Sequence, residues 1–150
     1  MKLKAEDTVI LLIEDNPDDE VLTLRALKKN HLANEIVVVR DGAEAIDFLF
    51  AQGKYADRDA RIVPQLILLD LKLPKVDGIE VLRRIRQGEY TRLVPVVVLT
   101  TSDEERDRIE SYSHHANSFV RKPVDFSQFT EAIRQIGLYW LVLNEPPAVD

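Results

Sequence analysis

The sequence predicts a doubly wound α/β sandwich, in which helices cover both faces of a parallel sheet. Short apolar runs alternate with segments whose apolar residues recur at helical spacing, which is the pattern of repeated βα units. Because the chain has 150 residues and 45% hydrophobic content, we expect one domain over 1–150 with a substantial core. The predicted strands are residues 9–13, 36–39, 66–69, 96–99 and a short run at 119–120.

Five helices are predicted between and after these strands. Each begins at a capping or turn residue, and acids in the first turn of the first helix stabilise its positive end. We expect Gly53 to end the second helix and the charged residues 54–64 to form a solvated loop. The predicted helix starts are Asn16-Pro17, Asp41-Gly42, Asp77-Gly78, the capping-box segment Ser102 to Glu105, and Ser127.

The composition excludes several classes of function. The net charge of −6 argues against nucleic acid as a partner, and the absence of cysteine excludes disulfides and thiolate metal sites. No apolar run approaches the roughly 20 residues that span a bilayer, and the first residues lack a signal-peptide core. We therefore expect a cytoplasmic protein with no membrane contact. Residues 144–150 form a short predicted tail, which leaves no room for an output domain.

Polar side chains follow four of the predicted strands, at the edge where such sheets bind ligands. Each has an ordinary explanation by itself as a turn or capping residue. Because all of these residues come at the ends of strands in the βα repeat, together they indicate a site for a metal ion and a phosphoryl group. Glu14 and Asp15 follow the first strand, Asp70 the third, Thr100 ends the fourth, and Lys122 follows the fifth.

The acids predict a divalent metal site, because neighbouring carboxylates repel each other unless a cation joins them. Mg²⁺ (or Mn²⁺) prefers such oxygen ligands. We expect Asp15 and Asp70 to bind the cation directly and Glu14 to bind through water. The backbone carbonyl of Lys72 is a further candidate ligand.

Asp70 is also a candidate nucleophile. A carboxylate can attack phosphorus to form an acyl phosphate, and the transferring group then needs its negative charge neutralised. The ammonium of Lys122 and the hydroxyl of Thr100 are the predicted contacts to the phosphoryl oxygens.

From residue 9 to about 138, the chain resembles the receiver domains of two-component response regulators. Receiver domains have a flavodoxin-like (βα)5 fold, so the resemblance implies a parallel sheet in the order 2-1-3-4-5. The residues that carry the resemblance are Glu14-Asp15, 68–74 (LLDLKLP), Asp77-Gly78, 98–101 (VLTT) and Lys122-Pro123.

The resemblance implies a phosphoacceptor signalling protein, not an enzyme, although it would assist its own phosphoryl transfer and dephosphorylation. A sensor histidine kinase would phosphorylate Asp70, while Glu14 and Asp15 would hold Mg²⁺. Thr100 and Lys122 would sense the phosphoryl group. Glu14 stands where the family more often has aspartate, a longer side chain that still permits a water-mediated metal contact.

Further family positions have implied roles. Phe119 matches the aromatic residue that moves with the switch, and the Lys122–Pro123 peptide bond is expected to be cis. Lys72 and Ser102 occupy the two positions that tune the phosphoryl lifetime. Neither carries an acid or amide to position water, so the lifetime stays open.

The end of the last helix predicts an interface. Residues 138–143 are apolar on all sides, which one core stripe cannot cover. This ending and the charged loop before the third strand resemble single-domain regulators associated with phytochrome-type histidine kinases, which implies such a kinase as partner and a downstream phosphotransfer or target protein. The expected core stripe is Phe129, Ile133, Ile136, Trp140 and Leu143. The expected homodimer contacts are Leu138, Tyr139, Leu141 and Val142.

Three alternatives belong to other classes. A haloacid-dehalogenase-type phosphatase would also use an Asp nucleophile, but it needs a second Asp where this chain has Lys72. An unphosphorylated docking module would not need the complete set of acids, hydroxyl and ammonium. A nucleotide-binding protein would have a phosphate loop after the first strand, whereas Asn16-Pro17-Asp18-Asp19 is acidic and repels phosphate.

Overall fold

The computed structural model describes residues 9–29, 35–101, 104–123 and 125–147. Their strands form one parallel sheet in the order β2-β1-β3-β4-β5, which confirms the predicted fold and strand order. Residues in register across the sheet include Ile13 with Leu69 and Val98 with Phe119. The strands are β1 (Val9–Ile13), β2 (Glu35–Val39), β3 (Leu66–Leu69), β4 (Val96–Thr100) and β5 (Ser118–Arg121).

Helices cover both faces of this sheet. No helix in the described ranges is long and apolar enough to cross a bilayer. A 3₁₀ turn at Gly53–Tyr55 follows the second helix, and a π-helical segment at Leu138–Leu143 extends the last. The helices are α1 (Pro17–Lys29), α2 (Gly42–Leu49), α3 (Gly78–Gln87), α4 (Glu105–Ser113) and α5 (Phe126–Gly137).

Alternate residues of the strands point to the two faces and form two apolar clusters. The cluster that contains Leu11 and Leu69 packs against α2 and α3. The cluster that contains Leu12 and Leu68 packs against α1 and α5. Because β1, β3 and β4 lie in the middle of the sheet, their residues are buried on both faces, apart from the half-buried Val9. This arrangement holds the carboxyl ends of β1 and β3 side by side.

Side-chain caps fix three of the predicted helix starts. The Oδ1 atom of Asn16 accepts the N–H groups of Asp18 and Asp19, at 2.9 and 3.1 Å. Asp41 and Asp77 cap α2 and α3 in the same way. The predicted start of α5 at Ser127 is wrong, because Asp125 caps a helix that begins at Phe126. Ser102 and Asp103 lie outside the described residues, and α4 begins at Glu105.

The segment after α2 differs from the prediction. The helix ends at Leu49, before Gly53, because Ala51 already takes a left-handed backbone with φ of 55°. The charged stretch that follows is not a simple solvated loop. Tyr55 packs edge-on against Phe48 at 5.2 Å, and the guanidinium of Arg58 lies 3.9 Å from the centre of the same ring. Arg58 also donates to the carbonyl oxygen of Phe48, which ties the loop to α2.

The predicted core stripe of the last helix is wrong at its final residue, Leu143. Phe129, Ile133 and Ile136 are buried as expected, but Leu143 is 63% exposed. The cause is the π-helical turn, shown by the hydrogen bond from the N–H of Asn144 to the carbonyl of Tyr139 five residues earlier. The wider turn rotates the later side chains. Leu141 was expected at the interface. Instead it packs with Trp140 against the apolar cluster that contains Leu12 and Leu68.

Candidate functional site

The site forms where β1 and β3 end side by side. The backbone N–H of Asp70 donates to the carbonyl of Ile13, at 3.1 Å, and the N–H of Glu14 donates to Val39. These bonds extend the sheet ladder by one residue and point the two acidic side chains to the same edge. Both side chains are buried, in contrast to the exposed Asp15 beside them.

Three carboxylates converge at this edge. Glu14, Asp15 and Asp70 each offer an oxygen, and these oxygens lie within 4.8 Å of one another. Oxygen donors at this spacing, two of them buried, fit a hard divalent cation such as Mg²⁺ or Mn²⁺. Burial raises the pKa of Glu14 to about 7; a hydrogen bond from Lys122 opposes this rise, and the charge of Asp70 adds to it. A cation would relieve this repulsion between like charges.

The ammonium of Lys122 lies among the same acids. Its Nζ atom is 2.5 Å from Glu14 Oε1, 2.8 Å from Asp19 Oδ2 and 2.9 Å from Asp70 Oδ2. Burial lowers the pKa of Lys122, but the charge of Asp70 and hydrogen bonds to the three carboxylates raise it more, so the net pKa shift is upward. Lys122 therefore stays protonated and neutralises part of the acidic charge.

Asp19 is the contact that the sequence analysis missed. It lies in the first turn of α1, where an acid has a sufficient explanation in the positive end of the helix. The sequence signal is its place in the first turn of the helix that follows Asp15, because that turn begins at the carboxyl end of β1. That signal is too weak to predict a contact with a residue more than a hundred positions away.

The carboxylate of Asp70 has donors on both oxygens. Oδ1 accepts the Thr100 hydroxyl at 3.2 Å and the backbone N–H of Lys72 at 3.0 Å, and Oδ2 accepts Lys122. Thr100 ends β4 and is fully buried. The donors thus come from the ends of β4 and β5 and from the loop after β3. The metal-binding role of the Lys72 carbonyl stays a prediction.

Glycines let the loops at this edge approach closely. A Cβ atom on Gly42 would lie 1.8 Å from the carbonyl oxygen of Val76, and one on Gly78 would lie 2.4 Å from Leu71 Cα. The N–H of Gly42 also donates to the carbonyl of Pro74, at 3.3 Å. Any larger residue would push the loop after β3 away from its position, and this explains both Asp-Gly pairs in the sequence.

Two further expectations concern β5 and the peptide bond that follows Lys122. Phe119 is half-buried on β5, with the guanidinium of Arg108 5.8 Å from its ring centre. The expected cis bond between Lys122 and Pro123 is wrong, because the described residues contain no cis peptide bond. The trans form is the lower-energy form of an X–Pro bond by about 0.5–1 kcal/mol, and Lys122 reaches all three carboxylates with it.

The arginines of α3 have structural partners. Arg83 pairs with Glu80 on its own helix. Arg86 donates to the carbonyl of Val94 at 2.7 Å and to the side chain of Asn117 at 2.8 Å, which joins the loops before β4 and β5. Both arginines are therefore held by contacts within the domain.

A five-stranded parallel sheet with an acid cluster, a hydroxyl and an ammonium at its carboxyl edge defines the receiver class of signalling domain. Residues 10–134 match the model of the response regulator receiver domain family. The chain belongs to this family, which is a family of signalling proteins and not a classical enzyme family.

Relatives cover almost the whole chain. It is 42% identical to the probable methanogenesis regulatory protein FilR2 of Methanothrix harundinacea, over 97% of this chain and 92% of that protein. It is 41% identical to response regulator Rcp1 of Synechocystis sp., over 93% of both chains. The Mn²⁺-bound crystal structure of Rcp1 has a TM-score of 0.86 and covers 94% of this chain and 99% of that one.

A second solved structure shows a phosphorylated relative. The phosphorylated cyanobacterial phytochrome response regulator RcpA is 40% identical, with a TM-score of 0.87 over 94% of this chain and 99% of that one. The family match identifies this chain as a receiver domain of phosphorelay signalling, as the sequence predicted, and Glu14, Asp15 and Asp70 are placed to share a divalent cation.

Proposed function

We propose that Asp70 is the phosphoacceptor of this domain. The observation that carries the proposal is the set of donors on its carboxylate: Thr100 and the Lys72 N–H on one oxygen, Lys122 on the other. In the reaction, a carboxylate oxygen of Asp70 forms a bond to phosphorus while the bond from phosphorus to the donor's leaving group breaks. Glu14, Asp15 and Asp70 would hold a divalent cation, which would supply positive charge to the phosphoryl oxygens.

The side chains around Asp70 have separate roles in this proposal. Lys122 stabilises the negative charge that spreads over the phosphoryl oxygens, and the hydroxyl of Thr100 donates to one of them. Hydrolysis of the acyl phosphate then restores the carboxylate. Lys72, which is exposed, offers no carboxylate or amide to orient water, so attack by water receives no help from that position.

Phosphorylation is proposed to act on protein contacts through Thr100 and Phe119. The phosphoryl group favours one position of Thr100, and the ring of Phe119 follows on the neighbouring strand. The output is a change in the surface that this domain presents to a downstream phosphotransfer or target protein.

The proposed phosphodonor is a phytochrome-type sensor histidine kinase. The support is the similarity to Rcp1 and to RcpA, a phytochrome response regulator. A groove of about 790 Å³ is lined in part by Lys122 and Phe126, and the ammonium of Lys122 contacts Asp70. Transfer from a phosphorylated phytochrome-type kinase should exceed transfer from an unrelated histidine kinase; equal rates would contradict this partner.

A homodimer is proposed through the π-helical end of α5. Val142 and Leu143 are each 63% exposed, and Leu138 and Tyr139 lie on the same exposed end. An apolar patch of this kind commonly marks an interface. Because Leu141 packs against the core, Leu143 replaces it in the proposed contact set.

The phosphoacceptor proposal is tested by the intact mass of the protein after incubation with Mg²⁺ and acetyl phosphate. We expect a gain of one phosphoryl group in the wild type and no gain in Asp70→Asn. A gain that persists in Asp70→Asn would place the acceptor elsewhere.

A further inference from the structure

Lys122 has one carboxylate partner that the metal site does not require. Its ammonium has three N–H donors, and contacts to Glu14, Asp19 and Asp70 use all of them. Within the described ranges, the acids placed to share a cation are Glu14, Asp15 and Asp70. Asp19 is outside this group although it lies 2.8 Å from the same ammonium.

Cation binding would engage Glu14 and Asp70, the other two acids that contact Lys122. A cation at Glu14 and Asp70 competes with the ammonium for the same carboxylate oxygens. The side chain of Lys122 is only 3% exposed, so water replaces lost contacts poorly, and a buried ammonium without a counter-charge is unstable. Asp19 is the contacting carboxylate that a metal ion leaves in place.

We propose that Asp19 is a positioning residue that holds the ammonium of Lys122 at the site while Glu14 and Asp70 serve the cation and the phosphoryl group. This inference rests on the proposed function and adds a residue to it. Without the Asp19 carboxylate, the ammonium keeps contacts only to acids of the metal group and competes with the cation. Asp19 thereby favours metal binding and keeps Lys122 beside Asp70 for phosphoryl transfer.

The Mg²⁺ affinity tests this role without any phosphoryl transfer. Calorimetry should show that Asp19→Asn weakens Mg²⁺ binding by roughly fivefold to tenfold, the size of one lost charge-assisted contact. Asp18→Asn is the matched control, because it removes an exposed charge from the same helical turn, and we expect a change under about twofold. Asp19→Glu retains the charge and should restore the affinity to within about twofold of wild type.

A double-mutant cycle with Lys122→Met distinguishes positioning from a general charge effect. In that background Asp19→Asn should change Mg²⁺ affinity by less than about twofold, because there is no ammonium to hold. Equal factors in the two backgrounds would overturn the inference, as would equal effects of Asp19→Asn and Asp18→Asn. If Lys122→Met does not fold, the comparison of Asp19→Asn, Asp18→Asn and Asp19→Glu decides by itself.

Phosphorylation of the same proteins by acetyl phosphate separates the two proposals. If the wild type accepts no phosphoryl group, the proposed function fails whatever the Mg²⁺ affinities show. If the wild type is phosphorylated and Asp19→Asn matches it in rate and in Mg²⁺ affinity, only the role of Asp19 fails. We expect the rate to fall about tenfold in Asp19→Asn, because a displaced ammonium contributes less to the transition state.

Discussion

The backbone N–H of Lys122 donates to the carbonyl oxygen of Thr100, at 2.7 Å. The same two residues contact different oxygens of Asp70, Thr100 through its hydroxyl and Lys122 through its ammonium. A change at the carboxylate of Asp70 therefore reaches the ends of β4 and β5 together. This connection supports the proposed route by which a phosphorylation signal leaves the site through Phe119 on β5.

Removal of the Lys122 side chain should disconnect phosphorylation from this signal. We expect Lys122→Ala to fold in the presence of Mg²⁺ and to accept phosphate slowly, because the cation still neutralises part of the acidic charge. Its amide NMR spectrum should lack the phosphorylation-linked shifts at Thr100 and Phe119. Wild-type shifts at both residues in phosphorylated Lys122→Ala would contradict the proposed role.

Asp15 should be necessary for metal binding. It is the exposed member of the carboxylate group, so its replacement leaves the core intact while it removes a predicted direct ligand. Asp15→Ala should abolish Mg²⁺ binding measured by calorimetry and, with it, phosphorylation by acetyl phosphate. Asp18→Asn, an exposed acid three residues later, should retain the affinity. The metal assignment fails if Asp15→Ala binds Mg²⁺ as tightly as the wild type.

Stability should depend on pH through Glu44. Burial raises the pKa of Glu44, but hydrogen bonds from Lys54, the Arg40 N–H and Tyr55 lower it more, to about 2. An acid with a lowered pKa in the folded state stabilises the protein above its unfolded-state pKa, near 4.5, and this contribution is lost as the pH falls towards 2.

Glu44→Gln should therefore lower the free energy of unfolding by about 2 kcal/mol at pH 7, measured by urea denaturation, and by much less near pH 2. Glu89→Gln, at an exposed position in the loop before β4, should change it by under about 0.5 kcal/mol. A Glu44→Gln effect that is constant from pH 7 to pH 2 would show that these contacts do not depend on the charge.

Charges on the π-helical end should disrupt the proposed dimer. Light scattering at micromolar concentration should give about twice the chain mass for the wild type. Val142→Glu combined with Leu143→Glu should halve that mass, because two charges would be buried at the interface. Ile62→Glu is a suitable control, since Ile62 is 65% exposed and lies in the loop before β3. A monomeric wild type would defeat the dimer and assign this patch to another partner.

Sequence patterns predicted the fold and most of the residues that converge at the acidic edge, for identifiable reasons. Buried parallel strands are continuous apolar runs, so the position of Asp70 at the end of one was visible directly. The caps Asn16, Asp41 and Asp77 also act locally, and their side chains bond the first turn of the helix that follows. Local chemistry of this kind can be recovered from neighbouring residues alone.

The errors arose where distant contacts or backbone geometry decide. Asp19 contacts Lys122 across the fold, and a helix-start acid carries no sign of that contact. The predicted stripe assumed a uniform helical period, whereas the π-helical turn exposes Leu143 and leaves Leu141 half-buried against the core. Tyr55 and Arg58 are polar residues, but the ring of Tyr55 and the guanidinium of Arg58 pack against the ring of Phe48.

The most direct test of the account is to locate the phosphoryl group in the chain. The wild type is incubated with Mg²⁺ and acetyl phosphate and then reduced with borohydride, which converts a carboxyl-linked acyl phosphate to an alcohol, and the peptides are sequenced by tandem mass spectrometry. We predict that residue 70 alone appears as the reduced form, homoserine. Reduction at Glu14, Asp15 or any other acid in place of Asp70 would contradict the central claim.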